Sequence, residues 1–154
     1  MRVVAQRVLS AEVRANDEII AQIGSGLLVL AGFGAADAEP RIWTDIEWLC
    51  AKLVNLRIFR DENDLMNRSI FDAGGDILAV SQFTLYAATR KGNRPSFVSA
   101  APAQAGKKFY EAFTAQLGKA LGKPVKTGIF GAYMQVSLVN DGPVTIMMDT
   151  QARE

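Results

Sequence analysis

The run Leu27-Leu28-Val29-Leu30-Ala31 decides the architecture. Five consecutive apolar residues, bounded by Gly24-Ser25-Gly26 and by Gly32, are too short for a core helix and lack any alternation. They read as a strand covered on both faces. A strand buried on both sides needs one layer above it and another below. The residues before it supply partners. Val3, Ala5, Val8 and Leu9 begin a strand, Ala11 to Ala15 continue it or pair with it, Asn16-Asp17 marks a tight turn, and Ile19 to Ile23 returns. Beyond the apolar run, residues 39–56 carry Trp43, Ile46, Leu49, Cys50 and Leu53 at helical spacing, with Pro40 near the first turn. Gly74-Gly75 precedes a second apolar strand, Ile77 to Leu85. A second helix is expected over 103–121, with Phe109, Ala112, Phe113, Leu117 and Leu121 on one face and Gly122 and Pro124 as stops. Two closing strands, Met134 to Val139 and Val144 to Met148, flank Asn140-Asp141-Gly142-Pro143. Strands outnumber helices about three to one and both helices are amphipathic, so sheets stacked with one helical layer are expected. No linker or repeat divides the chain: residues 1–150 read as one domain and residues 151–154 as a tail.

The composition narrows the chemistry. Among 154 residues there is no histidine and one cysteine, Cys50, on the first helix. Imidazole-based triads and most catalytic zinc sites therefore drop out, as does any intrachain disulfide or thiolate metal cluster. Cys50 itself reads as a small core residue. Proton transfer has to use carboxylates, lysine, water, backbone or the substrate. The formal net charge is +1, which does not suit a protein that coats long nucleic acid; contact with nucleic acid should be local, and DNA is not an expected partner. The start alternates apolar and polar residues and has no signal-peptide block, and no apolar stretch would span a bilayer, so a cytoplasmic location is expected and no membrane partner. Asp61, Glu62 and Asp64 beside Asn63 and Asn67 could suit a hard cation but lack the spacing of a calcium loop; a solvated loop is the simpler reading. Neither a metal nor a cofactor is implied.

Two segments carry polar groups where packing alone does not ask for them. Ser81, Gln82 and Thr84, with Phe83 between, place hydrogen-bonding side chains in or beside a buried strand, where each needs a partner. Asn140-Asp141-Gly142-Pro143-Val144-Thr145 has the composition of a plain hairpin turn. It also holds a proline, which allows a cis peptide and a rigid pair of carbonyls. From the residues alone, both readings of each segment stay open.

Together these segments resemble a known family. SQFTL at 81–85, KGNRPSF at 91–97 and NDGPVT at 140–145, in that order, are similar to the D-aminoacyl-tRNA deacylases, as are MRVVAQRV at 1–8, LMNRSI at 65–70 and GIFGAYMQV at 128–136. The resemblance runs along nearly the whole chain. It implies a three-layer β/β/α fold and a homodimer with active sites at the subunit interface, each taking the aminoacylated 3′ end of tRNA. The activity implied is hydrolysis of the ester in D-aminoacyl-tRNA, with glycyl-tRNA mischarged on tRNA-Ala as a further substrate. Ser81, Gln82, Phe83 and Thr84 match the catalytic pocket motif. Gly142 and Pro143 match a Gly–cis-Pro pair that reaches into the partner's pocket and rejects L side chains, with Arg7, Asn140, Val144 and Thr145 in support. Thr84 is an obvious hydroxyl, but without a base it is a weak nucleophile; backbone N–H groups around Phe83 and Thr84, with the terminal 2′-OH, form the better catalytic hypothesis. Arg90, Lys91 and Arg94 are candidates for tRNA phosphates or a solvated loop. Two other readings compete: a non-catalytic dimer that binds a nucleic-acid end or a protein, and an editing domain that acts on L-aminoacyl-tRNA.

Overall fold

A computed structural model describes residues 1–153. The chain opens with β1 (Arg2–Ala15), turns at Asn16-Asp17 and returns as β2 (Glu18–Ile23). Both turn residues have positive φ, 51° and 63°, the backbone that a two-residue hairpin needs and that Asn and Asp tolerate. Next come β3 (Gly26–Gly32) and α1 (Arg41–Asn55), then a small hairpin of β4 (Phe59–Arg60) and β5 (Met66–Arg68). β6 (Asp76–Ser81) leads into a short 3-10 helix (Phe83–Tyr86), followed by α2 (Ala103–Leu121), β7 (Lys126–Thr127) and β8 (Gln135–Asp149). In the β4–β5 hairpin, the Asp61 carboxylate accepts from the Asn63 and Leu65 N–H groups at 2.9 and 3.0 Å and from the Asn67 amide at 2.7 Å, so its oxygens shape the turn.

One mixed sheet runs in the order β2-β1-β3-β6-β7, with β8 along the other side of β1. β1 is long enough to serve two partners on one edge, β3 against its first half and β2 against its second, both antiparallel. β3, β6 and β7 are parallel, and α1 and α2 make the crossovers that parallel neighbours require. β2 comes back close to β6 and β7, so the sheet nearly closes on itself.

Two cores follow from this curl. Leu27, Val29 and Ala31 point toward the helices and pack with Ile46, Leu49 and Phe113. Leu28, between them, points into the interior of the curled sheet with Val8, Val13, Leu78 and Val80. The uninterrupted apolar run of β3 thus separates two cores, which is the β/β/α layering expected. Each fully buried large apolar side chain contributes roughly 1.5–3 kcal/mol, and both layers draw on β3.

Both helices fall within two residues of their expected limits, and Gly122 closes α2 at φ 76°. Asp45 on α1 is buried although charged; Arg153 donates to it at 2.5 Å and lies over Trp48, 4.3 Å from the ring centroid. The expected tail is therefore tied to α1 through Arg153, while its last residue, Glu154, lies outside the described residues.

Three expectations need correction. The strand from Ile77 stops at Ser81 instead of Leu85, because the backbone leaves the ladder at Gln82 (φ −141°, ψ 78°) and tightens into the 3-10 turn. Ser81, Gln82 and Thr84 are consequently half-buried or exposed, not enclosed in a strand. The closing segments are not two strands of a hairpin. They are one strand, β8, paired to β1 along its length with a bulge at Asp141–Val144.

Candidate active site

The catalytic side of the site is set by where β3 and β6 end. Gln82 N–H donates to the Ala31 carbonyl at 2.7 Å, extending the parallel ladder by one residue. At Gly32 the neighbouring backbone comes so close that a Cβ would stand 2.6 Å from the Gln82 carbonyl oxygen; only glycine fits there. The chain then turns. Leu85 N–H returns to the Gln82 carbonyl at 3.3 Å and Ala87 N–H to the Thr84 carbonyl at 3.0 Å. The Phe83 and Thr84 N–H groups open the turn and, among the described residues, donate to no protein acceptor, as expected for the first amides of a helical turn. The Thr84 hydroxyl is exposed and its side-chain partner is the Gln82 amide, which is no base.

Beside this turn lies a cleft of about 560 Å³ whose walls include Ser81, Gln82, Phe83, Phe97, Phe130 and Tyr133. Phe83 and Phe97 meet edge to face, 5.1 Å between centroids and 72° between planes. Phe83 is 57% exposed and Tyr133 87% exposed, so large aromatic faces stand open at the mouth. A bridge between Ala88 and Ser96 closes the loop that carries Arg90, Lys91 and Arg94. All three cations are exposed, and none joins an ion pair among the described residues. The loop runs directly into Phe97, a wall of the cleft.

The second segment is built differently. Gln6 pairs with Thr145 and Val8 with Asn140, so Arg7 alone stands opposite four residues, Asp141 to Val144. The Arg7 guanidinium is buried. Its Nε lies 3.2 Å from the Asp141 carbonyl oxygen and 2.9 Å from Asp141 Oδ2, and Nη1 donates to the Ile58 carbonyl. The Asn140 amide donates to the Arg7 and Val144 carbonyls at 2.8 and 3.0 Å and staples the base of the bulge. Gln6 Nε2 reaches the Thr145 hydroxyl at 3.2 Å. Gly142 has φ 136°, and a Cβ on it would lie 2.7 Å from Val144 Cγ2 and 3.3 Å from Arg7 Nη2. The Gly142-Pro143 peptide is cis, and both residues are exposed.

Within one chain Ser81, Gln82 and Phe83 share the cleft and Thr84 sits next to it, but no residue of 140–145 lines it. Reasoning from sequence singles out the polar residues and passes over the aromatic walls: Phe97, Phe130 and Tyr133 lie inside quoted motifs without a role. Their spacing gives no periodic signal, and only the folded arrangement turns them toward one space. Arg2 is likewise passed over. Cys50 is buried, and burial pushes its thiol up to about 12, so it supplies no thiolate near neutral pH.

Residues 4–149 match the family model described as D-Tyr-tRNA(Tyr) deacylase. The chain belongs to that family. Two relatives named D-aminoacyl-tRNA deacylase, from Dechloromonas aromatica (strain RCB) and from Parabacteroides distasonis (strain ATCC 8503), are 54% and 52% identical over 154 residues, covering all of each chain. The fold also superposes on a solved structure named "c-Myc DNA Unwinding Element Binding Protein", with a TM-score of 0.88, 42% identity, and coverage of 97% of this chain and 98% of that one. A second solved structure, described as a probable eukaryotic D-amino acid tRNA deacylase, shares the fold with a TM-score of 0.81 at 21% identity, over 96% of this chain and 97% of that one.

Proposed function

We propose that this family member is a hydrolase that cleaves the ester joining a D-amino acid to the 3′-terminal ribose of tRNA. The observation that carries the reading is the pair of N–H groups, Phe83 and Thr84, unpartnered among the described residues, beside an aromatic cleft in a chain without histidine. Two adjacent N–H donors suit an ester carbonyl oxygen as it becomes an oxyanion, worth roughly 10²–10³ in rate per donor. Water adds to the carbonyl carbon, the tetrahedral intermediate collapses, and the ribose 3′-oxygen leaves with a proton. The neighbouring 2′-OH positions the water and relays that proton, since among the described residues the side-chain partner of the Thr84 hydroxyl is the Gln82 amide, which is no base. Phe83, Phe97 and Tyr133 offer faces on which the terminal adenine stacks. Arg90, Lys91 and Arg94 meet the phosphates leading to it.

Chirality is assigned to Gly142 and Pro143 of a second copy. The bulge that presents them is exposed and does not line the cleft of its own chain, and among the described residues β8 pairs only with β1. Leu9, Val139 and Met147 are 56%, 52% and 73% exposed around that edge, an apolar surface and open strand edge that a symmetric partner covers. Main-chain carbonyls of the bulge accept the substrate's α-ammonium and leave room for a D side chain only; glycine, with no side chain, enters too. A substrate made in translation gives the enzyme a cytoplasmic task.

Incubation with D-tyrosyl-tRNA tests the activity: free D-tyrosine should appear at a rate set by enzyme concentration. No release above the spontaneous rate supports instead a non-catalytic binder of nucleic-acid ends, a reading in keeping with the name of the 42%-identical DNA unwinding element binding protein. The shared site has its own test. A chain altered at Phe83 and a chain altered at Gly142, each inactive alone, should regain about one quarter of the activity when re-formed together, since half of the dimers are mixed and each mixed dimer holds one intact site. No recovery means that each chain works alone.

A further inference from the structure

We propose that Arg2 is a positioning residue for the catalytic turn, holding the 3-10 helix so that the Phe83 and Thr84 N–H groups face the cleft; this rests on the hydrolytic reading above. β1 carries two arginines with different tasks. Arg7 ties down the 140–145 bulge, and Arg2, five residues earlier, reaches the other motif. Arg2 Nη1 donates to the Leu85 carbonyl at 3.0 Å. That carbonyl belongs to the end of the 3-10 turn, where a helix leaves its acceptors unused. Arg2 Nε is held by Asp149 Oδ2 at 2.8 Å, and Asp149 is its register partner on β8, so the ladder itself fixes the pair. The guanidinium also lies over the Tyr86 ring, 4.6 Å from carbon to centroid.

That ring is constrained by Gly34 as well. A Cβ on Gly34 would stand 2.4 Å from Tyr86 Cε1, so bare backbone packs against it. The Tyr86 hydroxyl lies 3.4 Å from Asp37 Oδ2, which accepts the Gly34 N–H at 2.7 Å. The turn is therefore clamped at its closing end, while at its opening end, where the two amides find no acceptor among the described residues, the backbone is tied by the Gln82 ladder bond and the return of Leu85 N–H to the Gln82 carbonyl. Oxyanion donors act by being in place beforehand, and misplacement by about 1 Å can cost about 10²-fold in rate. The guanidinium fork is what joins the clamp: lysine could reach one acceptor but not hold carbonyl, carboxylate and ring at once.

The test is steady-state hydrolysis of D-tyrosyl-tRNA by wild type, Arg2→Met, Arg2→Lys and Asp149→Asn, with melting temperatures and the amide NMR shifts of Phe83 and Thr84 measured alongside. The expected result for Arg2→Met is a fall in kcat of about tenfold, with KM within about twofold, an unchanged preference for D over L, and displaced Phe83 and Thr84 amide signals. Arg2→Lys and Asp149→Asn should fall between it and wild type. Wild-type kcat and unmoved amides in Arg2→Met overturn the inference while leaving the hydrolase intact; so does a loss that follows melting temperature alone and is equal in all three variants. If Arg2→Met does not fold, Asp149→Asn decides by the same two readouts. A wild-type protein that releases no D-tyrosine instead defeats the underlying reading.

Discussion

Arg7 and Asp141 face each other across the β1–β8 ladder, Nε 2.9 Å from Oδ2, with the arginine side chain 3% exposed and the aspartate 39%. A buried cation thus reaches outward to hold an exposed bulge from beneath. Truncation to alanine would strip partners from the Ile58 and Asp141 carbonyls as well as from the carboxylate. Because the carboxylate keeps access to water, the cost belongs at the lower end for a broken buried pair, about 2–3 kcal/mol. Chemical denaturation of Arg7→Ala should show that loss, and its discrimination between D- and L-tyrosyl-tRNA should narrow. Arg7→Lys, which keeps charge but not the fork, should recover part of the stability and little of the discrimination.

Thr84 gives a sharper prediction about chemistry. Among the described residues its hydroxyl has an amide as its side-chain partner and its N–H has no protein acceptor. Thr84→Ala keeps the N–H and should retain most of the hydrolytic rate. A substrate ending in 2′-deoxyadenosine removes the proposed proton relay and should react about 10²-fold more slowly or worse. Single-turnover rates for the two measure this directly. A dead Thr84→Ala with a normal deoxy substrate would restore the hydroxyl as nucleophile.

The lone thiol should be silent. Burial pushes Cys50 up to about 12, and its Sγ sits 3.7 Å from the Phe113 carbonyl between α1 and α2. At pH 8 the thiolate fraction is then on the order of 10⁻⁴. The native protein should not react with a disulfide reagent over minutes and should lose no activity in its presence. In denaturant one thiol per chain should titrate.

Acid should weaken the fold through Asp149. Burial raises its proton affinity, but the Gln151 N–H and the Arg2 guanidinium outweigh that and hold the carboxyl below its ordinary range. A carboxyl depressed in the folded state adds stability that is fully present above the unfolded value, about 4, and is lost as pH falls through the folded value. Asp61, held down first by the Asn67 amide, and Asp72, held down first by the Ser69 N–H, act in the same direction. Denaturation midpoints measured from pH 5 down to pH 3 should fall, and fall less for Asp149→Asn.

How much of this is legible in the sequence depends on the range of the interaction. β3, α1, α2 and the Asn16-Asp17 turn are set by local pattern and by residues tolerant of positive φ, and they lie where periodicity puts them. The 140–145 segment reads as a hairpin because Asn, Asp, Gly and Pro serve any tight turn; what makes it a bulge is β1 running continuously alongside, a partner from the opposite end of the chain. The end of β6 is misplaced for a related reason, since Phe83 and Leu85 are as apolar as a strand requires and the turn they make packs closely on Gly32, a residue from a distant part of the chain. Arg2 carries no local signal, because its role depends on Leu85, Tyr86 and Asp149 arriving together.

The most direct test sets D-tyrosyl-tRNA and L-tyrosyl-tRNA side by side under the same enzyme concentration and follows release of each amino acid. Rapid loss of the D ester, with the L ester decaying only at its spontaneous rate, is the expected result. Equal hydrolysis of the two would contradict a pocket that reads handedness through the main chain of Gly142 and Pro143.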